Sequence, residues 1–160
     1  METLYITHPA CHLHEMGAWH PECPDRLDAI NDQLLSSGVL NFLTDKKADV
    51  ASDADLLRVH TPEYLAYLRT HIPSEGYFLI DPDTLMNPHT LEAAFAAAGS
   101  GITAVDAIMR HQAKTAFCAV RPPGHHARPG QAMGFCFFNN IAVAAAYAIE
   151  KYGLKRVAII

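Results

Sequence analysis

Two adjacent histidines close the run Arg121-Pro122-Pro123-Gly124-His125-His126, and a few residues later the chain reads Gly134-Phe135-Cys136-Phe137-Phe138-Asn139-Asn140. Imidazole titrates near neutral pH, so one of two neighbours can take and return a proton while the other steadies the developing charge. Pro122 and Pro123 restrict the backbone leading into the pair, and Gly124 permits a turn or a close approach by substrate. The aromatic run that follows offers the apolar wall that a proton-transfer site needs. A bare His-His pair has a plainer reading, a surface loop with two solvated imidazoles; the surrounding pattern is what argues for chemistry.

A second collection lies near the N-terminus. His12, His14 and His20, with Glu15, Glu22 and Cys23, offer imidazole, carboxylate and thiolate groups that could bind a zinc ion locally. His8, His60, His71, His89 and His111 are scattered, and structural roles are expected for them. Cys11, Cys23, Cys118 and Cys136 show no C-x-x-C spacing, which argues against a zinc ribbon or thioredoxin-type motif and for reduced thiols.

These residues need elements to hold them. Leu4-Tyr5-Ile6 predicts a short buried strand stopped at His8-Pro9, then a long His- and Pro-rich loop to Pro24, unusual unless it is functional. Asp25 is placed to cap a helix carrying Leu27, Ile30, Leu34 and Leu35 on one face and ending near Gly38. Ser52-Asp53-Ala54-Asp55 opens a short helical segment, and Pro62 suits the first turn of another. Residues 72–88, broken by Pro73, Gly76, Pro82 and Pro88, show no helical period and predict a second functional loop.

From Pro88 to His111, Leu91, Ala94, Phe95, Ala98, Ile102, Val105 and Ile108 recur at three- and four-residue steps, predicting a helix that packs closely on a sheet. Thr115 to Val120 predicts a second buried strand, Asn140 to Tyr152 a helix, and Arg156 to Ile160 a third strand. Strands alternating with helices argue for an α/β fold, a three-layer parallel sheet with helices on both faces. Ligands in such folds bind at the carboxyl ends of the strands, and the Pro-Gly-His-His loop leaves the strand ending at Val120 from that end.

The 160 residues are 50% hydrophobic and 18% charged, a globular composition that predicts one domain. A formal charge of -5 without a Lys/Arg cluster gives no footprint for direct nucleic-acid binding. Met1-Glu2-Thr3-Leu4-Tyr5 lacks the basic start of a signal peptide, and the apolar stretches read as too short or too interrupted to span a membrane. A cytoplasmic location is therefore expected. The last residues, Val157-Ala158-Ile159-Ile160, read as the inside of an apolar strand with no turn after it, and predict part of a longer polypeptide.

Several ordered blocks, taken together, point to a known family. They are Thr7-His8-Pro9, His14-Glu15-Met16-Gly17, His20-Pro21-Glu22-Cys23-Pro24-Asp25-Arg26-Leu27, Val59-His60-Thr61-Pro62-Glu63-Tyr64-Leu65, Asp81-Pro82-Asp83-Thr84, and the Pro-Gly-His-His and Gly-Phe-Cys blocks. This pattern resembles the histone deacetylase superfamily, specifically the class II-like deacetylases and their bacterial amidohydrolase relatives. The resemblance implies an arginase/deacetylase-like fold, with residues 1–160 as the N-terminal part of a single catalytic domain that continues beyond the chain. It also implies zinc-dependent hydrolysis of an acetyl amide, with the metal-bound water as nucleophile. The family's zinc ligands are an Asp-x-His pair after the next strand and a later aspartate, so no metal ligand is expected within this chain. The catalytic tyrosine and the carboxylates that partner the histidines are likewise expected after residue 160.

Carried over residue by residue, His126 matches the general base and acid, and His125 its charge-tuning partner. Gly134 and Phe135 match the walls of the tunnel that grips the acyl-lysine stem, although Phe135 also suits a plain core aromatic. Asp83 matches a rim aspartate that binds the substrate backbone, or else simply forms a turn. Arg26 matches an arginine near the channel that handles acetate, with a solvated arginine at a helix start as the competing reading. Relatives usually carry Arg at the position of Cys23 and a small residue at Trp19, which puts the substrate preference in doubt. The implied substrates are an acetylated lysine peptide or a small acetylated amine such as an acetylpolyamine. A non-catalytic binding or assembly module is the alternative from another class, and homo-oligomerisation is left open.

Overall fold

A computed structural model describes residues 3–160; Met1 and Glu2, the start of the N-terminal segment read above, lie outside the described residues. The chain runs β1 (Thr3–Thr7), α1 (Ala10–Leu13), α2 (Asp25–Ser36), a 3-10 turn (Val39–Phe42), β2 (Leu43–Lys47), α3 (Asp53–Leu56) and α4 (Pro62–Thr70). It continues with β3 (Phe78–Asp81), β4 (Thr84–Met86), α5 (Thr90–Met109), β5 (Thr115–Cys118) and α6 (Asn140–Tyr152).

Side-chain alternation on β1 builds the three layers. Leu4 and Ile6 point to one face and meet Ala107 of α5, while Tyr5 points to the other and meets Leu27 of α2. β1 is the middle strand of a parallel sheet in the order β2-β1-β5, with Thr3 opposite both Leu43 and Thr115. Helices therefore cover both faces, as the alternating pattern predicts. A larger cluster, with Leu56, Leu68, Met86, Phe137 and Phe138 almost fully buried, joins the helical layer to the segments that carry the site.

Local chemistry explains the helix ends. Ser52 and Asp55 form a reciprocal capping box on α3, Thr61 caps α4 with Pro62 in its first turn, and the Asn139 side chain caps α6 by accepting from the Ala142 amide. At α2 the expectation shifts by one position. Pro24 occupies the cap and Asp25 is the first helical residue, where its charge still complements the helix dipole.

Several expectations need correction. The loop from Pro9 to Pro24 contains the short helix α1, and residues 72–88 form the antiparallel β3-β4 hairpin. β5 is an edge strand with alternating exposed residues rather than a buried one. Arg156–Ile160 is not a strand: residues 153–160 carry no sheet pairing and stand largely exposed, because an apolar run becomes a strand only beside a partner strand. Finally, α5 is long and apolar enough to cross a membrane by length and composition. Its alanine-rich face is buried against the sheet and α6, which accounts for that composition.

Candidate active site

A cavity of about 380 Å³ opens at the carboxyl side of the sheet, and its walls include Arg26, Asp83, His125, His126, Gly134 and Phe135. All six residues singled out in the sequence are thus brought together from four separate segments, and Pro21, Glu22 and Pro123 complete the lining. A larger cavity, about 600 Å³ at the ends of β1 and β2, contains none of the six.

The histidine loop is clamped at both ends by the pair of asparagines that starts α6. Asn140 Nδ2 donates to the Pro122 carbonyl (3.2 Å), and Asn139 Nδ2 donates to the Ala127 carbonyl (3.1 Å). The Asn139 amide donates to Nε2 of His60 (2.9 Å), whose Nδ1 faces the Pro129 carbonyl at 3.3 Å. Those contacts fix His60 with its proton on Nδ1, and burial lowers its pKa, so it is a neutral structural histidine. Gly124 is needed because a Cβ there would lie 2.5 Å from both the Asn140 nitrogen and the Phe138 carbonyl oxygen. The Arg121–Pro122 peptide is cis. On the loop so held, His125 and His126 are exposed to the cavity with ring centroids 4.2 Å apart.

The opposite wall is a tight turn. Met133 and Cys136 exchange backbone hydrogen bonds (3.1 and 3.0 Å), and the two corner residues, Gly134 and Phe135, have φ of 56° and 70°. Two consecutive left-handed residues define a type I′ turn. Phenylalanine rarely adopts that conformation, at a cost of about 1–3 kcal/mol, and such positions persist where surrounding contacts hold them. Here the Phe135 amide donates to the buried Thr84 hydroxyl (3.0 Å), and the His20 ring meets the Phe135 ring edge-to-face at 4.6 Å. Gly134 lies directly against the His126 ring, so the turn sets the position of that imidazole.

At the rim, His20 ties the first loop to the hairpin. Its Nδ1 accepts from the Glu22 amide (3.1 Å) and its Nε2 donates to the Asp83 carbonyl (3.0 Å). Asp83 sits on the β3-β4 turn with its carboxylate accepting from the Thr84 hydroxyl (3.1 Å), so it is both a turn residue and a cavity residue. Trp19, next to His20 in the sequence, stands almost entirely in solvent, at 98% exposure.

Behind the cavity lies a charged core that the sequence reading missed. The guanidinium of the fully buried Arg121 donates through Nε and Nη2 to the two oxygens of Glu22 (2.6 and 2.7 Å), and through Nη1 to the carbonyls of Cys11 (2.7 Å) and His14 (2.9 Å). Arg26 Nη1 donates to the same Glu22 Oε1 at 3.2 Å. Burial pushes the Glu22 carboxyl up, but the adjacent His14 ring and the hydrogen bonds and charge of the Arg121 guanidinium outweigh it and hold its pKa at about 2. Buried His14 has its pKa lowered, mainly by desolvation; its Nδ1 meets the Thr90 hydroxyl at 2.9 Å, while its Nε2 stands 3.5 Å from Glu22, too far for a hydrogen bond.

A local zinc site is not assembled. His12 lies at the surface on Asp28, His14 and Glu22 are enclosed with Arg121, and His20 is at the rim. Among the described residues no group of three His, Cys, Asp or Glu side chains is placed to hold a metal ion, so the residues present do not fit a zinc centre. The scattered His8 and His71 serve backbone ends: His8 Nδ1 accepts from the Ala10 amide and His71 Nδ1 meets the Tyr67 carbonyl. All four cysteines are free.

In this three-layer α/β domain a histidine pair and an aromatic turn converge at the carboxyl end of the sheet. Comparison with known proteins gives the family. Residues 20–160 match the histone deacetylase domain, and the chain belongs to that family. It is 41% identical over 144 residues to a histone deacetylase-like amidohydrolase of Pseudomonas aeruginosa, covering 90% of this chain and 38% of that protein. It is 37% identical to the mouse polyamine deacetylase HDAC10 (87% of this chain, 22% of that one) and 35% identical to a probable deacetylase of Archaeoglobus fulgidus (100% and 44%). The crystal structure of the HDA15 HD domain superposes with a TM-score of 0.88 at 36% identity, covering 97% of this chain and 45% of that one. The fold is therefore the arginase/deacetylase-like α/β fold, and the chain spans less than half the length of these relatives.

Proposed function

We propose that this chain supplies the proton-handling and tunnel half of a hydrolase acting on acetyl amides, with acetylated lysine in proteins or peptides as substrate. In this reading residues 1–160 are the N-terminal part of one catalytic domain, and a zinc ion is held by residues that follow Ile160. The observation that carries the proposal is the convergence of His125, His126, Asp83, Arg26, Gly134 and Phe135 on one cavity.

When bound, zinc would polarise the amide carbonyl and acidify its attacking water. The chain's own residues do the rest. His126, set against Gly134 and open to the cavity, takes the proton of the nucleophile and returns it to the departing amine. His125, with its ring 4.2 Å away, steadies the charge that His126 acquires. Phe135 offers an apolar surface for the methylene stem of the substrate, and the Asp83 carboxylate accepts hydrogen bonds from its backbone at the rim. Arg26 presents a cation where the acetate product forms.

The similarity to a polyamine deacetylase favours a second reading, in which the substrate is a small acetylated amine. Assays of the full-length protein with an acetyl-lysine peptide and with acetylspermidine decide between them. Higher kcat/KM on the peptide supports the first reading, preference for the amine replaces it with the second, and no hydrolysis of either leaves a binding module.

A further inference from the structure

Glu22 contacts both parts of the cavity that chemistry depends on. Its carboxylate, with the side chain only 2% exposed, engages Arg121 through both oxygens, and Arg121 begins the Pro-Pro-Gly-His-His loop. The same Oε1 receives a hydrogen bond from Arg26, the one Lys or Arg side chain among the described residues that lines the cavity. A buried ion pair adds little stability over apolar groups of equal volume. What it provides is direction: two parallel charge-assisted bonds fix the guanidinium plane. The Nη1 bonds from Arg121 to the carbonyls of Cys11 and His14 then tie the first loop to the histidine loop across more than a hundred residues of sequence.

We propose that Glu22 is a positioning residue of the active site: through Arg121 it fixes the start of the His125–His126 loop, and through its Oε1 it sets the Arg26 guanidinium on the cavity wall. The inference rests on the hydrolase reading for its kinetic consequences but not for its structural ones.

The test uses the full-length protein and four variants, Glu22→Gln, Glu22→Gln/Arg121→Met, Arg26→Ala and Glu22→Gln/Arg26→Ala. Glu22→Gln should lower kcat by about 10- to 100-fold with little change in KM. The Glu22→Gln/Arg121→Met variant, which replaces the pair with uncharged groups, should regain thermal stability without regaining kcat. Arg26→Ala should cost activity in the wild type and little more in the Glu22→Gln background, since coupled residues are non-additive. A stable Glu22→Gln/Arg121→Met variant with wild-type kcat, or full additivity of Glu22→Gln and Arg26→Ala, would overturn the proposal.

Hydrogen exchange gives a readout free of turnover. Backbone amides of Arg121 and of residues 124–128 should exchange at least about tenfold faster in Glu22→Gln while those of α6 stay unchanged. No change at Arg121 and 124–128, or an equal change in both segments, would overturn it. If the wild-type protein hydrolyses neither substrate, the hydrolase reading fails while the exchange result still decides the positioning role.

Discussion

Replacing Gly134 by alanine separates the geometry of the site from the stability of the fold. An alanine at φ of 56° costs about 1–2 kcal/mol from the left-handed backbone alone. Its Cβ would also lie 2.8, 3.0 and 3.1 Å from Cδ2, Cγ and Cβ of His126. Carbon atoms in contact need about 3.5 Å or more, so the imidazole must retreat by roughly 0.7 Å. Misplacing a catalytic group by about 1 Å costs about 100-fold in rate.

Gly153 provides the control, because it has φ of 65° and nothing within 4 Å of an added Cβ. Both Gly134→Ala and Gly153→Ala should therefore lose about 1–2 kcal/mol in urea unfolding of the full-length protein. Only Gly134→Ala should lose about 100-fold in kcat/KM on the acetylated substrate that the wild type prefers. If its kcat/KM stays within about threefold of that of Gly153→Ala, Gly134 does not set His126 for chemistry.

Gly124→Ala meets backbone at 2.5 Å on two sides, where nothing flexible can yield, so it should destabilise by about 3 kcal/mol or more in urea unfolding; a loss below about 1 kcal/mol would show that the loop is loosely held. Burial lowers the pKa of His8, His14 and His60 from the ordinary 6.5, so the unfolded chain binds protons first as pH falls. Stability should therefore decline as pH drops below about 6.5, and Glu22, held at about 2 against an ordinary 4.5, should add a second loss between those values. Urea unfolding across pH that stays flat from neutral to pH about 5 would contradict the first of these losses. Because the described residues assemble no metal site, residues 1–160 alone should show no zinc-dependent hydrolysis, whereas the full-length protein should lose activity to a chelator; turnover by the isolated chain with added zinc would refute this.

Much of the architecture was legible because it is written in local periodicity. The three- and four-residue apolar steps of α5, the strand at Leu4–Ile6 and the helix starts at Ser52 and Pro62 all depend on neighbours in sequence. β2 escaped notice because Leu43–Lys47 is an edge strand of which only Leu43 is even half-buried, leaving no hydrophobic alternation to read. The β3-β4 hairpin was masked by Pro82 and Asp83 at its turn. Val157–Ile160 erred the other way, an apolar, β-branched run with no partner strand beside it. The six cavity residues were found from motifs. The Glu22–Arg121 pair was not, since its partners lie 99 residues apart and no spacing announces them; the one hint was a charged side chain at the apolar end of a strand and another inside His20-Pro21-Glu22. Phe135 at positive φ and its Thr84 anchor were invisible for the same reason.

The most direct measurement is kcat/KM of the full-length protein on an acetyl-lysine peptide and on acetylspermidine, beside a His126→Ala variant confirmed to be folded by its unfolding midpoint. The wild type should hydrolyse at least one of the two, and the variant should lose about 100-fold or more without a comparable loss of stability. Absence of hydrolysis in the wild type, or full activity in the folded variant, would contradict the assignment of this cavity.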